Sequence, residues 1–408
     1  MENIIRSDLQ ILRELAKQQY ELSQTPQMQT LKKEWFLHNT FKGTRPMITI
    51  ELGGFESEII PPLLKCEGEK AREIEARLYR NMVNHTLFGD DFVVKDYYPI
   101  THSVWLKLFD LNVERVETGG LGHQFVHQIT DLKEDFYKIE QNSKYFGDKS
   151  KTQKEIEFIN ELFGDILPAK LEGRGLYAVP TQDVVHFMGM ENMLFAMYDY
   201  PAEFKAMMDR IADEYIEYFN WLAADGFLLP TVGGEAVAQG TWCYTDELPS
   251  EKPELTTCDV WGFLDSQETV NISPDMFGEF VWPCYEKIAR NYGLLSYGCC
   301  EPVHPIFDDY LSTLPNLRKV SISPWCDEEF MGERLKGKNI IFHRKPSPNF
   351  IGVGIELDEA AVIEHIDKTV KAAKGCKLEF TQRDVYTAAN NPEKVRRFVE
   401  LIRQRAEK

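Results

Sequence analysis

Apolar residues recur at every third or fourth position over several long segments, which is the spacing of one buried helix face. The clearest segment is 201–226, which ends at a glycine and carries five apolar residues on one face: Phe204, Met207, Ile211, Tyr215 and Phe219. Ser273-Pro274 has the form of a helix N-cap followed by proline at the first helical position. The spacing predicts helices over 3–22, 68–88, 153–163, 201–226, 358–374 and 392–406, and a further helix after Ser273.

Short apolar runs rich in β-branched and aromatic residues separate these helices, and turn-forming residues bound them, as is typical of β-strands. The first is RPMITIEL at 45–52, and another is DVWGFLD at 259–265. The remaining runs predict strands at 90–100, 176–183, 227–236, 294–300, 318–327, 339–348 and 377–387.

Strands that alternate with helices at steps of 25–40 residues predict parallel βα units. A doubly wound sheet fits the same alternation, but no glycine-rich dinucleotide fingerprint follows any strand. The expected fold is therefore α/β, a (βα)8 TIM-type barrel. We expect residues 1–44 to form an N-terminal helical extension and residues 45–408 to form one barrel domain, with an insertion near 100–150 that folds over a site.

Composition narrows the class of protein. Hydrophobic residues make up 43% of the chain, enough for a large core, and 46 basic against 65 acidic residues give a net charge of −19. Such an acidic chain is a poor candidate for nucleic-acid or membrane-surface binding. The sequence contains no long apolar window and no apolar signal core, and its eight cysteines are few for its length. We therefore expect a cytoplasmic protein with reduced thiols.

Polar residues that could take part in catalysis or binding follow the predicted strands. In a βα barrel those strand ends share one face. Each has an ordinary structural alternative: the cysteines as small buried residues, the acids in turns, the cations in solvent or paired with neighbours, and His304 and His343 as structural histidines. The catalytic candidates are Glu235, Asp265, Gln267, Glu301, Lys345, Arg383 and Asp384.

Three cysteines at strand ends raise the question of a metal. Thiolate and carboxylate are ligands that zinc favours, and a catalytic zinc keeps one position open. The candidate ligands are Cys299, Cys300, Cys326 and Glu235. Successive strand residues point to opposite faces, so Cys299 and Cys300 reach one site together only if the strand has already ended there.

Four stretches resemble the uroporphyrinogen decarboxylase superfamily, and within it the corrinoid-dependent methyltransferase branch. They are RPMITIEL, ISPDMFGEFVWPCYEKIARNYGLLSYGCCEPVH, LRKVSISPWCD and LEFTQRDVYT. The resemblance is best over about 170–400. Decarboxylase members carry an arginine-rich signature near the N-terminus, and the first 100 residues here have no such stretch.

The resemblance implies a βα barrel that moves a methyl group from a small donor, for example an aromatic methyl ether, to the cobalt of a corrinoid carried by a partner protein. Zinc is implied as the activating metal, held by His-x-Cys at one strand end and a further Cys at the last. Here either Tyr297-Gly298-Cys299 or Gly298-Cys299-Cys300 stands in place of the first motif, and neither contains the histidine. No cysteine ends the last strand. A uroporphyrinogen-type decarboxylase and a non-catalytic barrel within a corrinoid assembly are the alternatives, and a homodimer is the expected oligomer if the chain self-associates.

Overall fold

The computed structural model describes residues 4–117 and 123–407. The α-helices are α1 (Arg6–Ser23), α2 (Pro26–Asn39), α3 (Glu56–Ile59), α4 (Glu69–Arg80), α5 (Lys149–Phe163), α6 (Pro180–Met188), α7 (Met190–Asp199), α8 (Pro201–Ala224), α9 (Pro274–Phe280), α10 (Trp282–Ala289), α11 (His304–Phe307), α12 (Glu328–Leu335), α13 (Asn349–Gly352), α14 (Glu359–Ala372) and α15 (Pro392–Ala406). A π-helix covers Asn84–Phe88. Among the described residues, no helix is both long and apolar enough to cross a membrane.

The strands are short, with two to six residues each. They are β1 (Met47–Ile50), β2 (Tyr98–Ile100), β3 (Val104–Lys107), β4 (Glu114–Glu117), β5 (His123–Val126), β6 (Lys144–Gly147), β7 (Ala169–Leu171), β8 (Leu176–Ala178), β9 (Ala236–Ala238), β10 (Thr241–Trp242), β11 (Trp261–Leu264), β12 (Leu294–Tyr297), β13 (Leu317–Ile322), β14 (Ile341–Arg344) and β15 (Lys377–Gln382).

Seven strands form one parallel sheet in the order β1-β15-β14-β13-β12-β11-β8. All six residues of β13 are buried, as expected for a strand covered on both faces by helices. The fold is therefore α/β and TIM-like. The predicted eight-stranded closed barrel is not reproduced, because within the described residues no ladder joins β8 to β1.

Three predicted strands differ from the structure. Residues 227–235 contain no strand, and the chain enters β9 only at Ala236, after a bend through Gly233 and Gly234. Of the run 90–100, only β2 pairs with another strand, because the buried carboxylates of Asp90 and Asp91 accept backbone N–H groups of β1 instead. The run 176–183 becomes a strand only as far as Ala178.

The predicted helix start at Ser273-Pro274 is confirmed. Ser273 accepts a hydrogen bond from the backbone N–H of Met276, and Pro274 opens α9. Helices α1 and α2 lie in the predicted N-terminal extension. The predicted insertion contains the antiparallel pairs β3–β6 and β4–β5. Residues 118–122 of the insertion lie outside the described residues, as does Asn3, the first residue of the predicted helix 3–22.

A cluster of charged side chains is buried against one face of the sheet. Lys319 Nζ lies 2.9 Å from Glu379 Oε2 and donates to Thr241 Oγ1 at 2.6 Å. His38 of α2 contacts the same carboxylate at 3.1 Å, and His343 Nε2 lies 2.8 Å from a threonine hydroxyl of β15. Each of these titratable side chains is buried, and their hydrogen bonds link α2, β13, β14 and β15.

We predict that His343 makes stability depend on pH. Burial lowers the pKa of His343 to about 3, so between that value and the ordinary histidine pKa only the unfolded side chain binds the proton. The free energy of unfolding therefore falls as the pH falls below about 6.5, by about 2 kcal/mol at pH 5. Urea unfolding at pH 7.5 and 5 should show this loss in the wild type and a smaller loss in His343→Gln. An equal loss in both proteins would show that His343 is protonated when folded.

Candidate active site

A cavity of about 420 Å³ lies at the carboxyl ends of the parallel strands. Asp265 follows β11, Cys299 follows β12 by two residues, Lys345 follows β14 and Arg383 follows β15. The residues that line the cavity are Tyr177, Gln182, Gln239, Asp265, Gln267, Cys299, Cys300, Pro324, Trp325, Lys345, Pro346, Pro348, Arg383, Asp384 and Tyr386.

Cys299 is the centre of the polar contacts in this cavity. Its Sγ lies 2.9 Å from Nη1 of Arg383, which donates to it, and 3.5 Å from Sγ of Cys300. When protonated, Cys299 donates to Oε1 of Gln239, at 3.2 Å. The side chain is only 4% exposed, so the sulfur is reached through the cavity.

These contacts favour the thiolate form of Cys299. The hydrogen bond from the Cys300 thiol lowers the pKa of Cys299 most, and the positive charges of Lys345 and Arg383 lower it further. Burial and the Glu301 carboxylate oppose them, and the resulting pKa is about 7. Half of the Cys299 thiols are thus ionised near neutral pH, which gives the cavity a nucleophilic or charge-stabilising sulfur.

Cys300 remains protonated beside it. Its Sγ lies 3.4 Å from Oδ2 of Asp384, and hydrogen bonding to Cys299, burial and this carboxylate raise the pKa of Cys300. Both cysteines lie past the end of β12, so the alternation of strand faces does not separate them. Gly298, with φ of +98°, turns the chain between the strand and the pair, and both cysteines line the same cavity.

Asp265 carries the second reactive group of the cavity. Its side chain is buried, and burial, followed by the negative charges of Glu301 and Cys299, raises the pKa of Asp265 well above the usual range of an aspartic acid. Its Oδ1 is buried without a hydrogen-bond partner among the described residues. The raised pKa favours the protonated form of this carboxyl group, which lines the cavity.

Glu301 lies behind the cavity wall. Its carboxylate accepts the backbone N–H of Ser266 at 2.9 Å through Oε1 and that of Cys299 at 2.8 Å through Oε2. The side chain is buried and does not line the cavity. Glu301, predicted as a catalytic residue, is therefore placed to position the loops after β11 and β12 by bonding to both.

Two non-glycine residues of the cavity have left-handed backbones. Gln239 has φ of +55° and Asp384 has φ of +57°. Such conformations cost energy for residues with a Cβ and cluster at functional sites. Gln239 Oε1 also lies 3.5 Å from Nζ of Lys345. Gln239 therefore contacts both the Cys299 thiol and the buried amino group of Lys345.

The structure brings together most of the predicted residues but not all. Asp265, Gln267, Cys299, Cys300, Lys345, Arg383 and Asp384 line the one cavity. Glu235 lies in a different cavity, which Lys95 and Tyr244 also line. Strand β9 separates Glu235 from Gln239, which lines the cavity of Cys299. Cys326 is buried, does not line the cavity, and has its pKa raised to about 11 by burial.

The predicted set of four zinc ligands is therefore not assembled. No group of three or more metal-ligating side chains occurs among the residues that the structure describes. Arg383 stands at the end of the last strand, where the resemblance implies a metal-binding cysteine, and its guanidinium already donates to Cys299. A dication at this sulfur would be repelled by Arg383 and by Lys345, so the arrangement does not fit zinc.

Eight of the 15 residues that line the cavity escaped the sequence prediction, among them Gln239, Tyr177, Trp325 and Tyr386. Gln239 precedes Gly240 in AVAQG, a tight-turn signal that follows Glu235 by four residues. Tyr177 lies within a strand, where an aromatic residue is typical of the core. Trp325 and Tyr386 are 65% and 62% exposed, and no pattern in a single sequence distinguishes an exposed ring from a buried one.

The thiolate assignment predicts a pH profile for alkylation. Iodoacetamide should modify Cys299 with a rate midpoint at about pH 7, because the thiolate is the reactive form. Arg383→Gln should move that midpoint upward by removing a positive charge. Mass spectrometry of the peptides measures both rates, with exposed Cys258, which does not line the cavity, as an internal control that Arg383→Gln leaves unchanged. A midpoint for Cys299 that Arg383→Gln does not move would contradict the ion-pair explanation.

Comparison with known proteins agrees with this fold. The structure of a methyltransferase from Methanosarcina mazei superposes with a TM-score of 0.51, covering 92% of this chain and 98% of that chain, at 13% sequence identity. At that identity the similarity establishes the shared fold. No protein-family model matches the sequence, and no curated protein does.

Proposed function

We propose that this protein is a methyltransferase that moves a methyl group from a small donor to the cobalt of a corrinoid carried by a partner protein, with Asp265 as general acid. The observation that carries the proposal is the buried carboxyl group of Asp265, whose raised pKa favours the protonated form, in the same cavity as Cys299. The methyltransferase with the same fold supports the reaction class.

The chemistry requires an acid. Methyl ethers and methylamines transfer their methyl group slowly, because an alkoxide or amide anion is a poor leaving group. As the bond between the methyl carbon and the heteroatom breaks, its electron pair stays on the heteroatom and takes the proton of Asp265. The donor leaves as an alcohol or an amine, and Asp265 becomes a carboxylate that regains its proton from solvent.

The neighbouring charges hold Asp265 in the protonated form. Glu301 and the Cys299 thiolate both disfavour a second negative charge nearby, and burial disfavours it further. The role of Cys299 in this mechanism is electrostatic, since its charge keeps the general acid protonated. Arg383 and Lys345 hold that thiolate in place.

The mouth of the cavity supports contact with a corrinoid. Trp325 and Tyr386 line the cavity and expose 65% and 62% of their surface, so flat apolar rings face outward at the rim. When bound, the reduced corrinoid supplies the nucleophile that receives the methyl group. The decarboxylase alternative needs a cluster of arginines, and Arg383, engaged with Glu51, is the single arginine among the described residues that line this cavity.

The test uses cob(I)alamin as a soluble corrinoid probe. The purified protein is incubated anaerobically with it and with methoxybenzene, 4-methoxybenzoate, methanol or trimethylamine, and the cobalt absorbance is followed. We expect conversion to methylcobalamin with at least one donor, in proportion to the protein added. An unchanged cobalt spectrum with every donor at millimolar probe would overturn the proposal.

A further inference from the structure

A second cavity of about 570 Å³ adjoins the first. Tyr177 and Gln239 line both cavities, and Glu51, which lines the second, accepts a hydrogen bond at 2.8 Å from Arg383 of the first. This volume is in the range of sites for small organic ligands. A ligand in the second cavity therefore lies next to the residues assigned to catalysis.

Six of the 23 residues that line the second cavity are Phe, Tyr or Trp. Trp105 of β3 is 53% exposed and stacks on Phe146 of β6, with 4.9 Å between ring centroids. Tyr177 stacks on Phe263 at 5.1 Å. The other aromatic lining residues are Tyr215, Tyr218, Phe219 and Phe227. Rings held flat by stacking on a neighbour offer preorganised faces to a planar aromatic ligand.

One cation of the second cavity has no ion-pair partner among the residues that the structure describes. Glu172 pairs with Lys95 at 2.6 Å, and Glu51 pairs with Arg383 at 2.8 Å. Burial lowers the pKa of His102, which favours its neutral form. Arg174 forms no ion pair within the described residues, and its one hydrogen bond there is a long contact of 3.5 Å to a backbone carbonyl.

We infer that this cavity binds the methyl donor as an aromatic carboxylate, with the carboxylate paired to Arg174 and the ring against Trp105 and Tyr177. The planar guanidinium group suits bidentate pairing with a carboxylate. The residues shared by the two cavities then face the part of the donor that carries the methyl group. The inference rests on the proposed function, since it identifies the donor of that reaction.

The test measures binding without turnover, by calorimetry with 4-methoxybenzoate and with the uncharged methoxybenzene. We expect the carboxylate to bind about two- to fivefold more tightly, because Arg174 is exposed and solvent screens an exposed charge pair. Arg174→Gln should remove the difference, while Arg115→Gln, which removes an exposed arginine of β4, should leave it unchanged. Thermal unfolding of each variant verifies that it is folded.

The outcomes separate this inference from the proposed function. Equal binding of the two ligands, or an unchanged preference in folded Arg174→Gln, overturns the inference even if cobalt is methylated from another donor. Tight, Arg174-dependent binding of the carboxylate supports the inference even if cob(I)alamin is not methylated. In Asp265→Asn, binding of the carboxylate should persist, since Asp265 does not line the second cavity.

Discussion

Replacement of Asp265 by asparagine is expected to lower the rate of methyl transfer by roughly 10²- to 10⁴-fold, the usual contribution of a general acid. Asparagine retains the shape of the side chain but has no proton to give to the leaving heteroatom. The measurement is the initial rate of cobalt methylation with saturating donor. Asp309→Asn, a matched change at an exposed aspartate, should leave the rate unchanged.

The pH dependence of the same reaction provides a sharper test of Asp265. Because its pKa is raised, the wild-type rate should fall only at a pH well above the ordinary range of a carboxyl group. Cys299→Ser removes one of the negative charges that raise this pKa, so the rate should begin to fall at a lower pH in this variant. Full activity in Asp265→Asn, or an unmoved profile in Cys299→Ser, would contradict the proposed acid.

Replacement of Lys319 by methionine is expected to lower the free energy of unfolding by about 3–5 kcal/mol. The change leaves the buried Glu379 carboxylate without the ammonium group that lies 2.9 Å from it. Urea unfolding followed by circular dichroism measures the effect. Lys319→Met combined with Glu379→Leu should recover part of the loss, because both buried charges are then absent.

The matched control for Lys319 is a surface ion pair. Lys205 and Glu279 lie 2.6 Å apart, with 45% and 55% of their side chains exposed. Lys205→Met should cost less than about 1 kcal/mol, since solvent screens such pairs. If the two lysine variants lost equal stability, burial would not explain the strength of the Lys319 interaction.

Much of the architecture followed from local patterns. Helix α8, the capped start at Ser273 and the strands β11 to β15 were predicted because hydrophobic period, turn residues and caps act within a few residues. The part of the site carried by strand ends was predicted for the same reason, since parallel strands bring Asp265, Lys345 and Arg383 to one edge. These residues do line one cavity.

The errors arose where distant parts of the chain decide the outcome. Glu235 follows two glycines and looks like a strand-end acid, yet β9 lies between it and the cavity. Cys326 follows Trp325, which lines the cavity, but the side chain of Cys326 is buried and does not line it. Closure of the barrel would need a ladder between β8 and β1, two strands that are far apart in sequence. No local sequence pattern predicts whether such a ladder forms.

The amino-acid sequence alone determined the alternation of strands and helices, the parallel sheet and the set of strand ends from which reactive residues could come. Those features depend on periodicity and turn chemistry within short segments. Only the tertiary structure decided that Arg383 contacts the sulfur of Cys299, that Glu301 bonds to two loops and that Asp265 is buried beside negative charges. Protonation states depend on distance and burial between residues far apart in the chain, and these are set only when the strands pack side by side.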